Sequence, residues 1–258
     1  MNNFDDEVKI LEHLQHTQPN FVLWPDFDPD TKSILMDLYD IANGAEWINS
    51  SRKSDPPPDF YSDKACLMME VMRIDDHTRP GKKGKPFNPV NIRESQLQKE
   101  LDKVFPGIPK FINAISDYKG IVDHNYKLYI KNFRTTVERH IKRVPQYRIN
   151  HPKHRLIFYV FDESSAYIES ANKKIASKGI REGQAILCKK HVHYLDKNML
   201  FAFRESNVDF LLWHTPFKTY FNESPTRQMP QVAFIKLNNF QWEMLHEYNE
   251  DLMMSVEE

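Results

Sequence analysis

The sequence predicts an α/β protein in which a central mixed β-sheet is flanked by helices. Two apolar runs, ACLMMEVMRI at 65–74 and RLIFYVF at 155–161, are typical of strands that are covered on both faces. Segments with helical spacing of apolar residues accompany these runs at 4–16, 28–48 and 110–144. No Gly/Ser linker divides the chain, so we expect residues 1–258 to form a single domain.

The other elements follow from the same patterns. Asp28 is a suitable N-cap with Pro29 at the first helical position, and the helix that begins there is expected to reach about Ile48, with Glu46 in its last turn. A short extended piece is expected at 59–61. Further helices are predicted at 91–104, 162–178 and 239–254, and further strands at 185–188, 199–203, 208–213 and 232–237.

Several classes of protein are excluded by what the sequence lacks. It has only 7 glycines and no GxGxxG, GxxxxGK[ST] or GxSxG motif, which argues against the usual Rossmann, P-loop and α/β-hydrolase enzymes. Cys66 and Cys188 are far apart and outside any CxxC, so neither a disulfide framework nor a four-cysteine zinc site is expected. The N-terminal stretch does not resemble a signal peptide, and no run approaches the roughly 18 apolar residues of a membrane span. We therefore expect a cytoplasmic protein with no membrane partner.

The net charge of −1 conceals a strong asymmetry along the chain. Residues 1–78 carry a net charge of −10, residues 79–160 carry +12 and residues 161–258 carry −3. The basic middle third indicates a surface for a polyanion, nucleic acid first, or a face that the acidic N-terminal third neutralises by packing on it. Lys82, Lys83 and Lys85 lie in a loop without the Ser/Thr of a P-loop, so this loop is expected to contact a phosphate backbone by charge or to be simply solvated.

The most informative chemical pattern is a pair of carboxylates. Asp59 begins one extended segment, and Glu70 lies in the middle of the next strand, where it is the only charged side chain before Arg73. Two adjacent strands at this offset can bring both carboxylates to one edge of a sheet. Carboxylates on rigid strands are ligands suited to Mg²⁺, and an unpaired carboxylate in an apolar strand is costly. The pattern therefore predicts a magnesium site at Asp59 and Glu70.

This arrangement resembles the PD-(D/E)xK nuclease superfamily, which includes many restriction endonucleases. In that family a helix, often carrying a Glu, precedes a three-stranded meander, and a second helix and a strand complete the core. The resemblance covers roughly residues 30–161 and implies a restriction-endonuclease-like core, with 162–258 as a C-terminal extension of the sheet and a closing helix. It implies that Asp59 and Glu70 hold the metal, that Glu46 is the helix Glu, and that the protein is a metal-dependent nuclease or a nuclease-like nucleic-acid-binding protein.

The resemblance is incomplete at the motif lysine. The corresponding position is Met72, which cannot activate water, so the resemblance implies that another side chain supplies this role. Lys99, or Gln96 one turn before it, is preferred over Lys64 and Arg73. Arg73 is disfavoured because alternation along a strand places it on the face opposite Glu70. The alternative is a catalytically inactive interaction protein that keeps the same scaffold.

Two other constellations are weaker. The pairs His151/His154 and His191/His193 have spacings that some metal sites use, but no acid or cysteine stands at a matching spacing, so surface or interface histidines are the favoured interpretation. Asp162 and Glu163 follow the clearest strand, where α/β sites gather. They indicate either an unrelated cytoplasmic enzyme with its site near Asp162 or, more simply, the N-terminus of a helix.

Overall fold

The computed structural model of this chain describes a mixed α/β fold. The described residues are 7–26, 28–41, 44–50, 58–76, 79–80, 86–87, 100, 103, 124–171, 188–218, 220 and 229–256. None of the helices in these ranges combines the length and the apolar composition that crossing a bilayer requires.

The elements are as follows. The helices are α1 Glu7–Thr17, α2 Pro29–Tyr39, α3 Tyr126–Ile141, α4 Val144–Asn150 and α5 Lys197–Leu200, with short 3₁₀ turns at His193–Leu195, Phe201–Phe203, Leu237–Asn239 and Trp242–Met244. The strands are β1 Phe21–Trp24, β2 Ile48–Asn49, β3 Phe60–Ser62, β4 Leu67–Ile74, β5 Arg79–Pro80, β6 Pro86–Phe87, β7 Arg155–Asp162, β8 Tyr167–Glu169, β9 Lys189–Lys190, β10 Phe210–His214, β11 Val232–Lys236 and β12 Met253–Ser255.

The main sheet has seven strands in the order β1-β11-β10-β7-β4-β3-β2. Strands β2, β3 and β4 form an antiparallel meander. β4 then pairs parallel with β7, and β7 pairs parallel with β10. β11 is antiparallel to β10 and parallel to β1. The sheet is therefore mixed, and its two longest strands, β4 and β7, lie side by side at its centre.

Helices cover both faces of this sheet, which explains the apolar composition of its central strands. On one face, α3 contributes Tyr129, Phe133 and Val137 to a core that also contains Met68 and Met72 of β4. On the other face, α1 and α2 pack against the alternate residues of the same strands. The predicted central mixed sheet with flanking helices is confirmed.

A second, three-stranded sheet in the order β12-β8-β9 lies beyond the C-terminal end of β7. It replaces two helices that the sequence predicts. The residues after β7 are irregular and then form β8, so the predicted helix over 162–178 is wrong within 162–171; its remainder, 172–178, lies outside the described residues. The predicted closing helix over 239–254 is also wrong, since this region contains a 3₁₀ turn and then β12, which pairs antiparallel with β8.

Two further predictions are corrected by local geometry. The predicted strand at 199–203 is helical: Asp196 caps α5 by accepting the N–H of Asn198, and the buried Met199, Leu200 and Phe203 have helical spacing. The helix that begins at Pro29 ends at Tyr39, about nine residues early, because Asp40 is extended. Gly44 then lies so close to the carbonyls of Asp37 and Asp40 that a Cβ would clash with both.

Candidate functional site

Asp59 directly precedes β3, and Glu70 lies within the adjacent strand β4. The antiparallel register pairs Phe60 with Met69, so one step further along the ladder places Asp59 opposite Glu70. Residues directly opposite each other in a ladder project to the same face of the sheet. β3 begins at Phe60, whereas β4 continues past Met69, the partner of Phe60. Oδ2 of Asp59 accepts the N–H of Val71 in this continuation of β4 at 2.8 Å.

Glu70 is only 3% exposed and is held by the end of α3 and by α4. Its Oε1 lies 2.5 Å from Nδ1 of His140. Tyr147 of α4 is close enough to Glu70 and to Arg143 for both side chains to affect the pKa of its hydroxyl. Burial and the charge of Glu70 raise the pKa of Tyr147 above its usual range, so this hydroxyl stays protonated.

The charges around Asp59 are not balanced. Burial and then the charge of Glu70 raise the pKa of Asp59 to about 7, against the lowering effect of the Val71 hydrogen bond. Glu7, at the start of α1, adds a further raising effect, and Arg143 lowers the pKa. Two buried carboxylates that repel each other in this way favour the binding of a proton or of a cation between them.

The other residues that the sequence singles out lie elsewhere. Glu46 is not on a helix; it follows α2 in an irregular segment, its side chain is 79% exposed, and it pairs with Lys64 at 3.1 Å. Met72 faces the same side of the sheet as Glu70 but is 1% exposed within the apolar core against α3. Arg73 pairs with Glu163 at 2.6 Å, on the opposite face, as alternation predicts. Lys82, Lys83, Lys85, Gln96 and Lys99 are outside the described residues.

His140, Arg143 and Tyr147 are site residues that the sequence analysis does not identify. α3 and α4 bring them onto β4 although they lie about seventy residues further along the chain. The basic end of α3 was the available signal, since His140, Lys142 and Arg143 cluster there, but only packing shows which of them reach the carboxylates.

A second cluster involves the predicted histidine pair at 151 and 154. Asp63, in the turn between β3 and β4, joins His151 and His154 to form a group whose potential ligand atoms lie within 4.8 Å of one another. Among the described residues, no other group of three His, Cys, Asp or Glu side chains lies close enough together to share a metal ion. The acid missing from the local sequence thus comes from a distant turn.

The other histidine pair is not on the surface. His191 and His193 are each 1% exposed, so the prediction of surface or interface histidines is wrong for this pair. Nε2 of His191 lies 2.7 Å from Oδ2 of Asp196. Burial, with the nearby charge of Lys218, lowers the pKa of His193 well below its usual range, so its ring is neutral in the core.

The acidic end of β7 forms a dense hydrogen-bond network. Asp162 is fully buried, and its Oδ2 accepts from the Tyr129 hydroxyl and from Nε1 of Trp213 at 2.9 Å. The same oxygen forms an ion pair with Nζ of Lys218 at 3.1 Å. Its Oδ1 accepts from the backbone N–H and the hydroxyl of Ser164. Lys218 also donates to the hydroxyl of Ser164 at 2.6 Å. Both carboxylate oxygens of Asp162 therefore accept two hydrogen bonds each. Such an arrangement is typical of a residue that stabilises the end of a strand.

No family model, no curated protein and no solved structure matches the chain.

Proposed function

We propose that this protein is a metal-dependent nuclease whose site is built on Asp59 and Glu70. The observation that carries the proposal is the coupling of these two carboxylates across the β3–β4 ladder, where burial and the charge of Glu70 raise the pKa of Asp59 to about 7. A divalent cation would replace the proton and relieve the repulsion. The donor set, two carboxylates on rigid strands, fits Mg²⁺ or Mn²⁺.

The order of elements supports the proposal. A helix, an antiparallel three-stranded meander, a second helix and a strand parallel to the third meander strand follow one another as α2, β2-β3-β4, α3 and β7. This is the order that the resemblance to the PD-(D/E)xK nucleases implies. The carboxylates also have the implied positions, one at the start of the second meander strand and one within the third.

The basic end of α3 offers a substitute for the missing lysine. Met72 carries no charge, but Arg143 is close enough to lower the pKa of Asp59, and His140 contacts Glu70 directly. A guanidinium beside a phosphodiester would stabilise negative charge that develops on the phosphate oxygens. A metal ion held by Asp59 and Glu70 would polarise the same group and lower the pKa of a bound water.

The test is cleavage of DNA and of RNA by the full chain with Mg²⁺ or Mn²⁺. We expect cleavage that Asp59→Asn and Glu70→Gln each reduce by at least about a hundredfold, while Arg143→Met reduces kcat with a smaller effect on KM. Glu205→Gln removes an exposed carboxylate elsewhere on the surface and should leave the rate unchanged. Calorimetric titration with Mn²⁺ should show binding to the wild type and none to Asp59→Asn.

Two experimental results would contradict the nuclease proposal or its assigned site. Mn²⁺ binding at Asp59 without cleavage of any nucleic acid would favour the inactive interaction protein on the same scaffold. Cleavage that survives both Asp59→Asn and Glu70→Gln would place the active site elsewhere.

A site near Asp162 is favoured by one observation, the 2.6 Å contact between Lys218 and the Ser164 hydroxyl. A lysine must be neutral to take a proton from a serine. Nζ of Lys218 instead forms an ion pair with Oδ2 of the buried Asp162 at 3.1 Å. This pair therefore serves better as a structural anchor than as a nucleophile and base.

A further inference from the structure

Three metal-binding side chains converge at the N-terminal end of β7, away from Asp59 and Glu70. Asp63 belongs to the turn between β3 and β4, and His151 and His154 belong to the segment between α4 and β7. Nε2 of His154 lies 3.1 Å from Oδ1 of Asp63. The two ring centroids are 5.0 Å apart.

The fold holds these segments together without a metal. The backbone N–H of Arg155 donates to the carbonyl of Cys66 at 2.9 Å, which fastens the β3–β4 turn to the start of β7. The N–H of His154 donates to the carbonyl of His151 at 3.1 Å, so both histidines belong to one tight turn. Tyr61 of β3 packs on the ring of His151 with centroids 4.4 Å apart. The three side chains are thus positioned by backbone and packing contacts.

The chemical types of the three ligand groups indicate which metal ion the cluster would bind. Two imidazoles and one carboxylate are typical ligands of Zn²⁺, whereas Mg²⁺ prefers oxygen donors in an octahedral arrangement. Tetrahedral bonds of about 2.0–2.1 Å place neighbouring ligand atoms roughly 3.3 Å apart. The observed 3.1 Å contact already matches this spacing, and the 4.8 Å limit for the group requires only small side-chain shifts.

The surroundings leave room for a metal and for a fourth ligand. The side chain of Asp63 is 73% exposed, so water can reach the cluster from the surface. Nδ1 of His154 is buried and, among the residues that the structure describes, has no hydrogen-bond partner. This nitrogen is on the side of the ring away from Nε2, where a metal-binding histidine normally makes its second polar contact.

We propose that Asp63, His151 and His154 form a Zn²⁺ site with water in the fourth position. The four residues from Asp59 to Asp63 correspond to roughly 13 Å of extended chain, so this site is separate from the carboxylate pair. Because the ligands come from two segments that are distant in sequence, bound zinc links the β3–β4 turn to the start of β7 and stabilises the folded chain.

The test uses the full chain, stripped of metal with a chelator, and zinc chloride alone as the titrant. Calorimetry should show one saturable equivalent of Zn²⁺, and the melting temperature should rise with Zn²⁺ concentration. His151→Ala and His154→Ala should each weaken binding by more than about tenfold, since the loss of even an outer-shell partner has an effect of this size. His16→Ala, at the exposed end of α1, should leave the affinity unchanged.

Wild-type Co²⁺ spectroscopy keeps the proposal testable if a variant fails to fold. Co²⁺ should give the intense visible bands of a tetrahedral nitrogen and oxygen site, and one equivalent of Zn²⁺ should remove them. Absence of saturable Zn²⁺ binding, or binding that His151→Ala and His154→Ala leave intact, would overturn the proposal. Neither result depends on nuclease activity.

Discussion

Glu70 and Asp59 show how one face of a sheet can hold charge inside an apolar strand. Glu70 stays buried because His140 contacts its carboxylate and Tyr147 lies close to it. Asp59 is less well compensated, since its main polar contact is one backbone N–H while burial and Glu70 both disfavour its charge. A buried carboxylate whose charge is poorly compensated does not stabilise the fold. Carboxylates of this kind are concentrated at functional sites.

The raised pKa of Asp59 gives the chain a defined pH dependence of stability. The folded-state pKa is about 7, whereas an unfolded Asp titrates near ~3.9. Between these values the folded state binds the additional proton, so this carboxyl causes stability to fall as pH rises from about 4 to 7. In the metal-free protein, Asp59→Asn should leave the unfolding free energy nearly unchanged at pH 4 and raise it by up to about 4 kcal/mol at pH 8.

Denaturant unfolding of both proteins across this pH range, with chelator present, checks the prediction. Glu205→Gln, which replaces an exposed carboxyl elsewhere on the surface, serves as the control. A stabilisation by Asp59→Asn that is equal at pH 4 and pH 8 would mean that the carboxyl is not perturbed in the folded state.

At the scale of elements, β7 organises the molecule from its centre. Its N-terminal end approaches the cluster of Asp63, His151 and His154, and its C-terminal end places Asp162 among Tyr129, Trp213 and Lys218. These last three residues come from α3, from β10 and from the segment that follows β10. One carboxylate therefore ties a helix and a neighbouring strand to the end of β7.

Breaking this buried pair should be costly. Lys218→Met leaves the Asp162 carboxylate buried without its counter-charge, and we expect a loss of about 3–5 kcal/mol in the free energy of unfolding. The double variant with Asp162→Asn should recover part of that loss, because an amide can still accept from Tyr129 and Trp213. Chemical denaturation of the single and double variants measures both values.

An exposed ion pair provides the comparison. Lys197 and Glu247 lie 2.7 Å apart with side chains 49% and 68% exposed. Lys197→Met should therefore cost less than about 1 kcal/mol. Similar losses for Lys218→Met and Lys197→Met would show that the Asp162 network does not anchor β7.

At the scale of the whole molecule, the dominant feature is the uneven distribution of charge along the chain. Residues 79–160 carry a net charge of +12 within a chain of net charge −1. In the described part of this segment, some basic groups are engaged: Arg148 pairs with Asp209, and Arg155 pairs with Asp30. Asp30 belongs to the acidic N-terminal third, whereas Asp209 belongs to residues 161–258, so both flanking regions form ion pairs with this basic segment.

The remaining basic charge leads to a prediction about salt. Binding of nucleic acid should weaken linearly with the logarithm of salt concentration, through release of counterions. Replacing Lys82, Lys83 and Lys85 together with Ala should reduce that slope by up to about 3, at roughly 0.9 per lost phosphate contact. Fluorescence anisotropy with a labelled duplex between low and moderate salt measures both slopes. Binding that does not respond to salt would exclude a surface that follows the phosphate backbone.

The sequence by itself determined the class of the fold, its central strands and the position of the carboxylate pair. Two long apolar runs can be buried only in the middle of a covered sheet, and the strand period of two fixes which residues share a face. Asp59 and Glu70, and the placement of Arg73 opposite to Glu70, follow from that local geometry.

Only the tertiary structure decided the elements and partners that depend on distant segments. β8 and β12 form because they pair with each other across more than eighty residues, a contact that overrides the helical appearance of 162–171 and 239–254. His140 and Tyr147 approach Glu70, Arg143 approaches Asp59, and Asp63 reaches His151 and His154, through packing between segments far apart in the chain. Such contacts cannot be predicted from the local sequence, because hydrophobic periodicity indicates which face of an element is buried but not which other element packs against that face.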